Sequence, residues 1–175
     1  GTTPDTLFDM LVTGRVKLYS MTIIEGWTVT ELLQALARHP AIAHSVEPDS
    51  VEDLTHLLGL DYPHPEGLFF PDTYHFPRGT SDLELLRQAH ELLITQLNQA
   101  WSGREPHAVL ESPYQGLILA SIVERETALS EERAQIAGVF LRRLEQGMLL
   151  QTDPTVIYGL GQSFDGNLVR RHLKT

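Results

Sequence analysis

Leu117 to Thr127, LILASIVERET, is the stretch on which the reading of this chain turns. Six of its first seven residues are apolar, so a helix here predicts enclosure by other elements on nearly all sides. Two carboxylates, Glu124 and Glu126, close the run. A carboxyl group at the end of a buried segment loses hydration and its charged form becomes costly, which suits an acid/base catalyst. At about 100° per residue, side chains two positions apart point roughly 200° apart around the axis, so the two glutamates are not equivalent. Glu124 shares its face with Leu117, Ala120 and Ser121, and the small pair leaves open space for a substrate. Glu126 follows the bulkier Leu119, Ile122 and Val123 and is placed to orient a partner or to pair with Arg125 or Arg133. The competing reading makes both of them solvated charges at a helix end.

Working outward, Ser112, Pro113 and Gln115 stand in the preferred N-cap, N1 and N3 places for this central helix, which breaks at about Ala128. Ser130 is expected to cap the next helix, with Glu131 and Glu132 in its first turn, a buried stripe of Ile136, Val139, Phe140 and Leu144, and Gly147 as its end. In MLLQTDPTVIYGLG, residues 148–161, Asp153 and Pro154 read as the N-cap and first residue of a short helical turn. Gln151, Thr152 and Asp153 put an amide, a hydroxyl and a carboxylate in consecutive positions, suited to a polyhydroxylated ligand or, for Asp153, to capping its own helix.

Toward the N-terminus, Ser81 and Glu84 have capping-box spacing, and Leu83, Leu86, Ala89, His90, Leu93 and Leu97 form one stripe of a long helix from Asp82 to Trp101. Between Tyr62 and Gly79, four prolines interleave with Phe69, Phe70, Tyr74 and Phe76, so PEGLFFPDTYHF predicts an ordered loop with one or two short extended pieces. Its aromatics read either as a small core of their own or as a stacking wall for sugar rings. Thr28 and Glu31 open a helix over Val29 to Arg38, stopped by Pro40. Small helices are expected around Ala41 to His44 and from Val51 to Leu58, a strand over Val16 to Ile24, and a helix over Thr3 to Val12.

Bulk properties narrow the function classes. With 42% hydrophobic and 21% charged residues in 175, the chain has the composition of a folded globular protein. A net charge of -10 repels phosphates, which argues against nucleic acid as a partner and leaves no polybasic membrane patch. Cysteine is absent, and the eight histidines show no H-x-x-x-H spacing, so no metal site and no cofactor is expected. No apolar run approaches a membrane span, and the abrupt start at Gly1 suggests a soluble piece of something longer.

A buried-helix glutamate, a polar loop and an aromatic loop are the parts of a carbohydrate-cleaving cleft. Most glycosidases also need a second carboxylate, and Glu126, Glu66, Asp72 and Asp153 all remain open for that place.

ILASIVERET, followed by LRRLEQGMLLQTDPTVIYGLG and preceded by EGLFFPDTYHF, closely resembles the MltG/YceG-like family of endolytic murein (peptidoglycan) transglycosylases, from about Leu18 to Leu173. The resemblance implies an α+β fold, a mostly helical catalytic domain with a few short strands, over residues 27–175, preceded in residues 1–26 by the end of a LysM-like α/β subdomain. It implies a lyase that cuts the bond between N-acetylmuramic acid and N-acetylglucosamine within glycan strands and leaves a 1,6-anhydro end. The first glutamate of the family's I-V-E-x-E-T pattern maps onto Glu124, expected in a dry, sugar-sized recess as acid and then base. Glu126, Gln151, Thr152, Asp153 and Tyr158 are candidates for holding the sugar or stabilising charge, with Glu66, Phe70 and Tyr74 from the aromatic loop. Implied partners are peptidoglycan strands and cell-wall synthases. The resemblance also implies a periplasmic catalytic part whose inner-membrane anchor precedes Gly1, and a catalytic region that continues past Thr175, so the expectation is a chain that folds with reduced or no activity. A non-catalytic glycan-binding module and a glycoside hydrolase are the alternatives.

Overall fold

The computed structural model describes residues 3–5, 8, 12, 16–47, 51–105, 109–169 and 172. The helix expected over Thr3 to Val12 falls largely outside the described residues. The chain divides into two compact units, Gly1–Gln96 and Leu97–Thr175.

The first unit is built on a two-stranded antiparallel sheet, β1 (Leu18–Thr22) with β2 (Thr73–Pro77), in the register Tyr19 to Phe76 and Met21 to Tyr74. Alternation explains β2: Tyr74 and Phe76 face inward while Thr73, His75 and Pro77 face out. Helix α1 (Val29–Ala37) starts from the expected capping box, in which the Thr28 side chain accepts from Glu31 N–H and the Glu31 carboxylate accepts from Thr28 N–H at 2.7 Å. Its Leu32, Leu33 and Leu36 pack with Met21, Tyr74 and Phe76 and with Leu85, Leu86 and Ala89 of α3 (Asp82–Gly103). Each leucine, methionine or phenylalanine of this set contributes roughly 1.5–3 kcal/mol when fully buried.

Several expectations need correction here. No helix forms around Ala41 to His44; that segment instead pairs in parallel with the start of α3, with Ala43 N–H donating to Thr80 O at 2.9 Å. A nonlocal ladder bond wins over a short run with little to bury. Helix α2 is confined to Leu54–Leu58 and ends where Gly59 takes φ 70°, a left-handed conformation that suits glycine. In α3 the Ser81–Glu84 capping box forms, but the buried set is Asp82, Leu85, Leu86, Ala89 and Leu93. Asp82 is only 2% exposed and holds the segment before Glu47, accepting from Ser45 N–H at 2.8 Å, Val46 N–H at 2.9 Å and the Ser45 hydroxyl.

The second unit contains the last turns of α3 and then α4 (Pro113–Glu126), α5 (Ser130–Glu145), α6 (Asp153–Leu160) and a 3-10 turn, Gly161–Ser163. Its buried core is thin: Leu119 and Val123 from α4 and Phe140 from α5, flanked by half-buried Leu110, Ile136, Ala137, Leu141 and Leu150. In α5 the expected stripe is therefore only partly realised, since Val139 and Leu144 are exposed. No helix among the described residues is long and apolar enough to cross a membrane.

Candidate active site

Helix α4 opens as its sequence predicts. Ser112 accepts from Gln115 N–H, Gln115 Oε1 accepts from Glu111 N–H at 2.7 Å, and Pro113 takes the first turn. It stops because Thr127 turns extended, at φ -148° and ψ 141°. The Thr127 hydroxyl accepts from Leu129 N–H at 3.0 Å and donates to Glu132 at 2.8 Å. These bonds fix the link to α5, whose N-cap is Leu129 and not Ser130. The first turn of α5 therefore comes back beside the last turn of α4, and Arg133 meets Glu124.

That meeting decides the electrostatics. Arg133 Nη2 lies 2.9 Å from Glu124 Oε2 and 3.2 Å from Oε1, and the two side chains are 44% and 49% exposed. Two expectations are thereby overturned. The arginine pairs with Glu124, not Glu126, and Glu124 is half in water, not enclosed. The physical reason is that α4 buries only the Leu119–Val123 stripe, while Ala120 and Ser121 stay exposed on the Glu124 side. A hollow of about 250 Å³ does open on that side, between Leu97, Trp101 and Arg104 at the end of α3 and Leu117 and Ala120 of α4. It is apolar, and Glu124 lies one helical turn beyond it, outside its wall.

Glu126 faces the other way, as its spacing requires, and reaches α6. Its Oε1 accepts a hydrogen bond from the Thr152 hydroxyl, and Thr152 is 4% exposed. Thr152, not Asp153, is the N-cap of α6; its hydroxyl donates to Glu126, and it makes no side-chain capping bond. Asp153 and Pro154 follow in the first turn, with Asp153 and Tyr158 exposed. Gln151 has φ 55°, and among the described residues no other non-glycine has positive φ. A left-handed residue of this kind costs about 1 kcal/mol and marks a strained site. Arg143, which the sequence reading passed over, holds it: Nη2 donates to Gln151 Oε1 at 2.6 Å and Nε to Leu149 O at 2.8 Å. The place of Arg143 in the last turn of α5, beside Arg142 and just before the loop that follows Gly147, was the available signal.

The aromatic-loop candidates lie in the first unit and have structural duties there. Tyr74 is 5% exposed, its hydroxyl donates to Phe70 O at 2.6 Å, and burial, with the Asp72 carboxylate behind it, pushes its pKa up to about 12. It is core, not a free stacking face. Phe70 is half-buried, with its N–H bound to Ala89 O. Glu66 accepts from Val29 N–H at 3.0 Å, at the start of α1. In the second unit Glu126 thus meets Thr152 and Arg143 meets Gln151, while Glu124 turns to Arg133 from another side of α4; Glu66, Phe70 and Tyr74 are engaged within the first unit.

Comparison with known proteins follows the same outline. An endolytic murein transglycosylase of Bacillus subtilis is 27% identical over 183 residues, covering 92% of this chain and 49% of that protein. One of Streptococcus pneumoniae is 31% identical over 133 residues, covering 76% of this chain and 22% of that protein. The chain thus spans about half or less of the length of these relatives. The crystal structure of a yceG-like protein from Listeria monocytogenes matches all of this chain and 63% of its own, with a TM-score of 0.62 at 22% identity, which establishes the fold. Residues 1–175 match the YceG-like family from end to end, and the chain belongs to that family.

Proposed function

We propose that this chain carries the acid/base carboxylate of an endolytic peptidoglycan transglycosylase, that this group is Glu124, and that the protein works on the periplasmic glycan of a bacterium. The single observation that carries the assignment is the placement of Glu124 on the open side of α4, beside the small Ala120 and Ser121, reachable by a strand and held by one guanidinium. Glu126, occupied by buried Thr152, is a support for the loop that carries Gln151.

The chemistry asks for one proton moved twice. Neutral Glu124 protonates the oxygen that leaves C1 of N-acetylmuramic acid as the glycosidic bond breaks. The resulting carboxylate takes the proton from the sugar's own 6-hydroxyl as O6 bonds to C1. Nothing is consumed, water adds nowhere, and the intramolecular nucleophile supplies the high effective concentration that removes the need for a second carboxylate. Because Glu124 stands half in water, the drying of the reacting centre falls to the bound strand itself, which covers the exposed face.

Digestion of purified glycan strands with product masses tests this. Products one water lighter than hydrolytic fragments, lost in Glu124→Gln, support the reading. Fragments carrying the added water make the protein a hydrolase. Retention on strands without cleavage, unchanged in Glu124→Gln, makes it a binding module.

A further inference from the structure

We infer that Arg133 reads a carboxylate on the glycan strand and changes partner on binding: it holds Glu124 in the free protein and passes to the substrate anion in the complex, releasing Glu124 for its proton. The inference rests on the reading of Glu124 as acid and base.

A general acid must present a free carboxyl oxygen to the leaving group, yet here the Arg133 guanidinium occupies that carboxyl. The pair seen here, with Nη2 at 2.9 and 3.2 Å from the two oxygens, is therefore the wrong arrangement for the first half of the reaction. One member has to leave. Glu124 sits on the last full turn of α4, on a short side chain, whereas Arg133 projects from the first turn of α5 on a long flexible stem, so Arg133 is the one that swings. Both are about half exposed, and a pair of that kind favours the closed state by less than about fivefold. A competing carboxylate at close range is enough to open it.

The proposed substrate supplies that group. Muramic acid carries a lactyl carboxyl on the ring whose C1 bond is cut; it is free on strands without peptide, and on substituted strands the peptide's own carboxylates take its place. The planar fork of the guanidinium fits either.

Binding of short strands to the whole chain tests this in the Glu124→Gln variant, where turnover is blocked and Arg133 has lost its competitor. Three probes are used: peptide-free strands, the same strands with their carboxyls converted to methylamides, and peptide-bearing strands. The expected result is about tenfold tighter binding of a carboxylate-bearing strand than of the amidated one. That preference falls to parity in Glu124→Gln/Arg133→Gln and is partly kept in Glu124→Gln/Arg133→Lys. A preference for the peptide-free strand identifies the lactyl group, and one confined to the peptide-bearing strand identifies the peptide. Equal binding of all three, or a preference that survives Arg133→Gln, overturns the inference. Full cleavage activity in Glu124→Gln would instead sink the acid/base reading and leave the binding comparison standing.

Discussion

Replacing Asp82 by alanine should be among the most damaging single changes in the first unit. Its carboxylate is 2% exposed and accepts from Ser45 N–H, Val46 N–H and the Ser45 hydroxyl, besides Leu83 N–H at 2.8 Å in its own helix. Alanine leaves the Ser45 and Val46 donors without their acceptor, and Val46 is itself buried. Bonds to a charged group contribute about 1.5–3 kcal/mol each, and a stranded buried donor costs about 1–3 kcal/mol. Because the hydroxyl and the Leu83 N–H can turn to water, the two backbone donors dominate, and the expected loss is about 3–4 kcal/mol. With a urea slope of about 2 kcal/mol/M, the unfolding midpoint should fall by about 1.5–2 M. Ser45→Ala, which removes only the hydroxyl, should lose about 1 kcal/mol by the same measurement. A loss below about 1 kcal/mol for Asp82→Ala would refute the claim that this carboxylate holds the segment.

Tyr74→Phe should lower stability by about 1 kcal/mol at neutral pH through the lost bond to Phe70 O. The folded pKa of about 12 lies above the unfolded value of 10.0, so the contribution of Tyr74 is fully present below pH 10 and lost as pH rises through 12; urea melts across that window should find this loss absent in Tyr74→Phe. Thr152→Val keeps the buried shape but deletes the donor to Glu126, and should cost about 1–2 kcal/mol in the second unit while weakening glycan retention. Arg143→Met frees Leu149 O and the Gln151 side chain, so amide exchange across residues 148–152 should rise about tenfold with α1 and α3 unchanged. Gly59→Ala, at φ 70°, should cost about 1 kcal/mol by thermal melting, and no loss would argue against the left-handed helix end.

What was legible in the sequence was mostly local. The Thr28–Glu31 and Ser81–Glu84 boxes, and the Ser112–Pro113–Gln115 start of α4, specify helix beginnings through atoms three residues apart, and each formed. That Glu124 and Glu126 point to different sides of α4 follows from helical periodicity alone, and the two meet different partners, Arg133 and Thr152. The failures were nonlocal. Asp82 enters the sequence reading only as the first residue of its helix, and its burial depends on a segment 37 positions earlier. The pairing of Ala43 with Ser81 displaced a weak helix in the same way. Arg133 was assigned to the wrong glutamate because the return angle of α5 is set by the Thr127 bonds, which no periodicity encodes. The enclosure expected for α4 depended on how many neighbours the helix finds, and a row of apolar letters does not report that.

The pairing of β1 with β2 joins stretches that lie far apart, with Thr22 and Thr73 separated by 51 positions. Trimming the chain to begin at Trp27 would remove a whole strand from a sheet that has only two. Tyr74 and Phe76 would lose the neighbours they are paired with in register, and the open backbone of β2 would become a template for a second molecule. Anyone shortening this protein for biophysical work should therefore expect self-association unless Leu18 to Thr22 is kept.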